Sequence, residues 1–292
     1  MGPVRIALAA AVAVAAAVTA CSGPVTSHAV ATPATYYLAL GDSLSQGVQP
    51  DAAGTSVETG QGYADQLYAM LRRGQPALRL VKLGCPGETT ATMIHGGICK
   101  YRGGSQLAAA VAFLSAHRGQ VRLVTLDIGA NDPEDCGSWA SLRTLLHCVG
   151  TNFPDAVTNL DTILARVRAA AGPDVRIVGM SYYLPSLAQW RLGLAGRAEA
   201  WLSEKLAVGY NKLLDNAYAK SDVRVANVFG AFQTSDFSGQ VAVPGVGTVP
   251  RNVALICQWT WECASPPRGP NQHANQAGYG VIARAFVSAG LG

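Results

Sequence analysis

The sequence predicts an α/β fold, a mostly parallel sheet of five strands with helices on both faces. Two observations carry this. Five short runs rich in Val, Ile and Leu, each bounded by polar or Gly/Pro residues, read as strands, and helical patterns lie between them. Strands alternating with helices in this way make βαβ units, and such units build parallel sheets. In order, the strand runs are 36–41, 78–84, 121–128, 175–180 and 223–228. The helical patterns are 62–73, 104–118, 152–171, 196–220 and 276–288, and Gly172-Pro173 ends the third of these. At 292 residues the chain is long enough for one large domain. No fixed-period repeat is visible.

The first residues form a leader. One positive charge at Arg5 precedes an apolar stretch from Ile6 to Ala20, too short for a comfortable membrane span and typical of an export signal. Two cleavage sites compete. Val18-Thr19-Ala20-Cys21 resembles a bacterial lipoprotein box, with 1–20 removed and Cys21 lipidated, whereas Ala29-Val30-Ala31 is an ordinary site that would discard Cys21. The lipoprotein reading is favoured, which makes the protein an exported one, either held at the cell surface or released. Residues 21–35 are small and polar with two prolines and read as a flexible tether, so the folded domain is 36–292. The net charge of +4 is spread without a basic block, which argues against a nucleic-acid partner and leaves the lipid anchor as the expected membrane contact. The chain is read as a monomer.

Beyond Cys21 stand six cysteines, an even set in a protein of an oxidising compartment. They fall into three sequence-local couples, Cys85 with Cys99, Cys136 with Cys148 and Cys257 with Cys263, and disulfides are expected in that pairing. A thiolate metal site is disfavoured because no couple has C-x-x-C spacing and histidines are few.

The residues with chemical potential follow strands. After the first come Gly41-Asp42-Ser43-Leu44-Ser45-Gln46-Gly47, after the second Gly84-Cys85-Pro86-Gly87-Glu88, after the third Gly129-Ala130-Asn131-Asp132. Gln272-His273-Ala274-Asn275 opens the last helix. Singly, these read as helix caps, loop residues and a surface histidine. Together they place a serine nucleophile, donors for an oxyanion and a base at one sheet edge, where active sites of parallel sheets gather.

On GDSLSQG and GAND, each after an apolar strand, the chain from Tyr36 to Gly292 resembles the GDSL or SGNH hydrolase family. That resemblance implies a three-layer α/β/α sandwich of flavodoxin-like type and hydrolysis of carboxylic esters, of lipase or esterase type, without metal or cofactor. It assigns Ser43 as nucleophile and His273 as general base. The Ser43 and Gly87 N–H groups and the Asn131 amide become the oxyanion donors. The local cysteine couples look like those of actinobacterial exported esterases of this family. A carbohydrate O-acyl esterase is the near alternative, since the same residues serve acylated glycans. A lipoprotein that keeps the fold without catalysis is the distant one.

One position departs from the family pattern. The Asp expected three residues before the histidine is Pro270, and no Asp follows Asp236. A triad acid fixes the imidazole tautomer and stabilises the imidazolium, so a substitute is expected. A backbone carbonyl of the 263–270 loop is the first choice, with Asn271 and Glu262 behind it. Trp259 and Trp261 either line an acyl or sugar pocket or pack on the neighbouring disulfide. Asp42 reads as structural, and His95, His117 and His147 as surface residues.

Overall fold

Tyr37, Leu38, Ala39 and Leu40 have no exposed surface, because the strand they form is covered on both faces. That is why the run is continuously apolar and does not alternate. The computed structural model describes residues 1–2, 34–133 and 148–291. The leader, most of the tether, Cys21, Cys136 and His147 lie outside the described residues, and with Cys136 the expected Cys136–Cys148 pairing. From Pro33 onward the chain closes on itself as one unit.

In chain order the strands are β1 (Thr35–Gly41), β2 (Gln49–Pro50), β3 (Ser56–Val57), β4 (Leu78–Lys82), β5 (Val121–Asp127), β6 (Arg176–Met180), β7 (Arg224–Ala226), β8 (Val241–Val243) and β9 (Gly247–Val249). The helices are α1 (Ser43–Gln46), α2 (Tyr63–Leu71), α3 (Thr90–His95), α4 (Gln106–Ala116), α5 (Phe153–Ala171), α6 (Gly193–Lys220), α7 (Val228–Ala231), α8 (Arg251–Trp259) and α9 (Gln276–Ser288). A 3-10 segment, Pro185–Leu192, leads into α6.

The five sheet strands are parallel in the order β4-β1-β5-β6-β7, with Leu38 in register between Val81 and Val124. Each was expected from its apolar run. Most boundaries moved by one to three residues, and two of the shifts have a visible cause. Thr35, assigned to the tether, opens β1 with its N–H on the Ala77 carbonyl (3.2 Å). The run 223–228 pairs over Arg224–Ala226 alone, because the Asn227 side chain accepts from the Gly230 N–H (2.7 Å) and starts α7. The ribbons β2/β3 and β8/β9 and helix α8 are too short for their periodicity to be read.

Helices α2 and α9 pack together, with Tyr63 stacked on Phe286 at 4.8 Å, and α4, α5 and α6 form the other layer. The first strand lies between the second and third of the sheet, so the order reverses between β1 and β5. A crevice opens at the carboxyl ends of strands at such a reversal, and the loops after β1 and β5 carry Ser43 and Asn131. Cys85–Cys99 and Cys257–Cys263 are bridged as the local couples predicted, with Cα separations of 6.0 and 4.9 Å. The first pins the loop after β4 and the second closes the end of α8.

At the end of β1 the backbone must bend sharply beside β5. Gly41 has φ +135°, and a Cβ there would stand 2.0 Å from the Asp127 carbonyl and 2.5 Å from its carboxyl group. Gly41→Ala is therefore expected to lower unfolding free energy by about 2 kcal/mol or more, from the strained φ and the clash together. Urea unfolding measures it, and wild-type stability in that variant would contradict the packing described.

Candidate active site

Ser43 is the first residue of α1, and the turn before it is fixed by its neighbours. The Asp42 carboxylate caps the helix by accepting from the Leu44 N–H (2.9 Å), and the Ser45 hydroxyl donates to the Asp42 carbonyl (2.8 Å). Beneath them lies Asp127, the last residue of β5, with no exposed surface. Its Oδ2 accepts from the N–H groups of Asp42 (3.3 Å) and Ser45 (3.1 Å), and its Oδ1 accepts from the Tyr63 hydroxyl. Burial, and then the charge of Asp42 beside it, push the Asp127 carboxyl well above the usual carboxylate range. Gln106 clamps the other side of the turn, accepting from the Gly41 N–H (2.7 Å) and donating to its carbonyl (2.8 Å) and to Glu88 (3.0 Å).

Asn131 follows β5 in the Gly-Ala-Asn-Asp turn. Its amide donates to the Glu88 carbonyl (2.8 Å), so it joins the loop that carries Gly87. Asp132 strengthens the same junction, accepting from the Thr90 N–H (3.0 Å) and hydroxyl at the start of α3. Gly87 is exposed, with φ +81° and open space where a Cβ would stand. It sits beside the residue that Asn131 holds and is not among those lining the cavity described below.

His273 reaches the site on a segment pinned from three sides. Its carbonyl accepts from the Trp261 N–H (3.1 Å), the Tyr183 hydroxyl donates to the Gln272 carbonyl (2.9 Å), and Asn275 caps α9 by accepting from the Gly278 N–H (3.1 Å). The imidazole partner expected first, a carbonyl of the 263–270 loop, is corrected. Nδ1 of His273 lies 2.8 Å from Asn271 Oδ1, which also accepts the His273 backbone N–H at 3.0 Å. This is an Asx turn, in which a side-chain amide reaches the residue two ahead. The other end of the amide donates to Ser56 Oγ (3.1 Å) and so turns Oδ1 to the ring. The 263–270 loop folds on itself, its Gly269 N–H on the Ser265 carbonyl (3.3 Å). The Glu262 backbone is engaged by Arg191 and Thr260.

Ser43, Asn131 and His273 line one cavity of about 170 Å³. Leu44, Phe153, Leu184, Pro185 and Leu206 give it apolar walls, and Asp42 and Tyr182 share its lining. Burial holds the His273 imidazole down at about 4, against 6.5 for an exposed histidine, so the ring is a neutral base through most of the pH range. Trp259 and Trp261 do not line this cavity. They border a separate open cleft with Arg268 and Arg284, and Trp259 packs edge-on against Phe232 at 5.2 Å. His95 is exposed. His117 is half-buried against Tyr36 and Phe113, correcting the expectation of a surface residue. Among the described residues no group of three or more His, Cys, Asp or Glu is gathered as a metal site.

Sequence reasoning named Ser43, Asn131 and His273 but missed the buried polar groups that hold them, Asp127, Gln106 and Tyr63. A carboxylate closing an apolar strand and a glutamine on an apolar helix were the available signals.

The sequence profile of the GDSL-like lipase/acylhydrolase family matches residues 39–280, and the chain belongs to that family. It is a carboxylic ester hydrolase. Similar solved structures include an extracellular lipase from Streptomyces rimosus, at 18% identity over 88% of this chain and 100% of that one, with a TM-score of 0.57. A phospholipase A1 from Streptomyces albidoflavus is 18% identical over 88% and 99%, TM-score 0.55. An acetylxylan esterase from Geobacillus stearothermophilus is 15% identical over 88% and 94%, TM-score 0.52. At these identities the likeness is one of fold. No curated protein sequence matches the chain.

Because an amide and not a carboxylate faces Nδ1, nothing there raises the histidine against its burial. The acid limb of kcat/KM, which reports the free enzyme, is expected to have its midpoint near pH 4. Asn271→Asp places a negative charge on the ring and should move that limb upward by about one unit or more. A wild-type limb at 6.5 or above, or an unmoved limb in the variant, would contradict this assignment.

Proposed function

We propose that the protein is an exported lipase/esterase that works through an acyl-enzyme on Ser43, with His273 as base and Asn271 in place of the triad acid. The observation that carries this is the shared cavity of Ser43, Asn131 and His273, with Nδ1 of the imidazole engaged at Asn271 and Nε2 thereby left for the serine.

His273 takes the hydroxyl proton as Ser43 Oγ attacks the ester carbonyl carbon, giving a tetrahedral oxyanion. The N–H groups of Ser43 and Gly87 and the amide of Asn131 stabilise that charge. The imidazolium then passes its proton to the leaving alcohol as the C–O bond breaks. Water, deprotonated by the same ring, opens the acyl-enzyme. Asn271 supplies orientation without a counter-charge, so it selects the tautomer but stabilises the imidazolium less than a carboxylate would.

The apolar walls favour an acyl chain over a glycan in the cavity. A space of this size holds a group of about six to eight heavy atoms, since an engineered cavity of about 150 Å³ admits benzene. Export is supported by the leader and the two bridges, and Cys21 is the proposed lipid anchor. Among the described residues no helix is long and apolar enough to cross a membrane.

Hydrolysis of p-nitrophenyl esters of graded chain length tests the reading. Ser43→Ala should abolish turnover and fluorophosphonate labelling while the fold is kept. Asn131→Ala should lower kcat by roughly 10²–10³ with little change in KM, as for loss of one oxyanion donor. Substantial turnover in Ser43→Ala would defeat the mechanism.

A further inference from the structure

Besides Met1 and the scattered Val57, Ile98 and Val149, the large apolar side chains that stand well exposed among the described residues share one element: Leu192, Leu194, Trp201, Leu202, Val208 and Leu213 lie on α6 or in the turn before it, with Leu194 84% and Trp201 54% exposed. Leu194, Trp201, Lys205, Val208 and Lys212 are spaced seven, four, three and four residues apart, which is one face of a helix. The opposite face, with Ala200, Tyr210 and Leu214, is buried. Contiguous apolar surface of this kind marks an interaction site.

The charges on this face say what covers it. Arg191, Arg197, Lys205 and Lys212 are exposed, against two exposed acids, Glu199 and Asp215, the latter seven residues beyond Val208 on the same face. Glu204 is turned inward onto the Ser235 hydroxyl and pairs with Lys205 (2.8 Å). The Lys205 ammonium lies 5.4 Å from the Trp201 ring centre and the Arg197 guanidinium 5.6 Å from that of Trp190. A second copy docked symmetrically here would set these cations against their own images. An anionic lipid surface instead receives the apolar side chains in its interface and attracts the bases.

We infer that the outer face of α6 docks the protein on an anionic lipid bilayer. The inner face of the same helix lines the catalytic cavity through Ser203, Leu206, Ala207 and Tyr210. Docking therefore holds the cavity one helix away from ester-bearing lipid, and the use of that nearness rests on the hydrolase reading, whereas the docking itself does not.

The test uses the exported protein carrying Ser43→Ala, so that lipid is not consumed, with vesicles of dibrominated phosphatidylglycerol, whose bromines quench tryptophan at short range. Trp201 emission should be quenched, and Trp201→Phe should remove that part of the quenching. Leu194→Asp should reduce it at least about threefold, and salt raised from about 0.1 to 0.5 M should weaken it severalfold. Quenching that is independent of residue 201, or unaffected by Leu194→Asp, would overturn the proposal. So would a dimer in sedimentation that Leu194→Asp dissociates. With Ser43 intact, Leu194→Asp should hydrolyse soluble p-nitrophenyl acetate at the parental rate. A parent inactive on that ester counts against the hydrolase reading alone, because the quenching result does not depend on turnover.

Discussion

The turn that carries Ser43 hangs on one buried carboxyl. Asp127 receives the N–H groups on either side of Ser43, from Asp42 and Ser45, and the Tyr63 hydroxyl from the opposite helix, with no water-exposed surface. A carboxylate in that position is tolerable only when its lone pairs are filled or when it holds a proton. Burial first, and then the charge of Asp42 beside it, raise the Asp127 carboxyl well above the usual carboxylate range. The sheet order then places this anchored turn beside the loop of Asn131, because β1 and β5 are neighbours at the point where the order reverses. Gln106 extends the same constraint to the loop after β4. Three loops from distant parts of the chain are thus tied by buried polar bonds, and each of those bonds costs free energy if its partner is removed.

His273 is held differently. Its ring meets an amide, in a turn closed between Asn271 and His273 themselves, and the support comes from local backbone geometry. A carboxylate acceptor would couple the ring to a second charge and raise its proton affinity. An amide orients the ring and leaves its affinity to burial. Pro270, in the place where the family usually has an acid, therefore coexists with an oriented imidazole.

Much of this was legible in the sequence, for physical reasons. Both faces of the sheet are covered, so Tyr37–Leu40 is a continuous apolar run and Leu123–Leu126 is broken by Thr125 alone, a pattern that strand propensity exposes directly. Ser43, Asn131 and His273 each follow an element end, where loops carry function. Gln106 and Asp127 each stand out as one polar residue in an apolar pattern, but what they hold was not legible because the partner lies far away in sequence. Asn271 was named but ranked behind a loop carbonyl, for the opposite reason. It lies two residues from the histidine, and an Asx turn is decided by backbone angles that composition does not reveal. The short run at 223–228 yielded to a capping side chain, a local competition that an apolar count does not register.

The central claim is the convergence of three loops on one small volume, and a crystal structure of the protein inhibited by an organophosphate measures it most directly. The account requires phosphorus on Ser43 Oγ, a phosphoryl oxygen within hydrogen-bond distance of the Asn131 amide, and His273 Nε2 facing the adduct with Nδ1 still on Asn271. An adduct on another residue, or one on Ser43 whose phosphoryl oxygen points away from Asn131 with the imidazole out of reach, would contradict it.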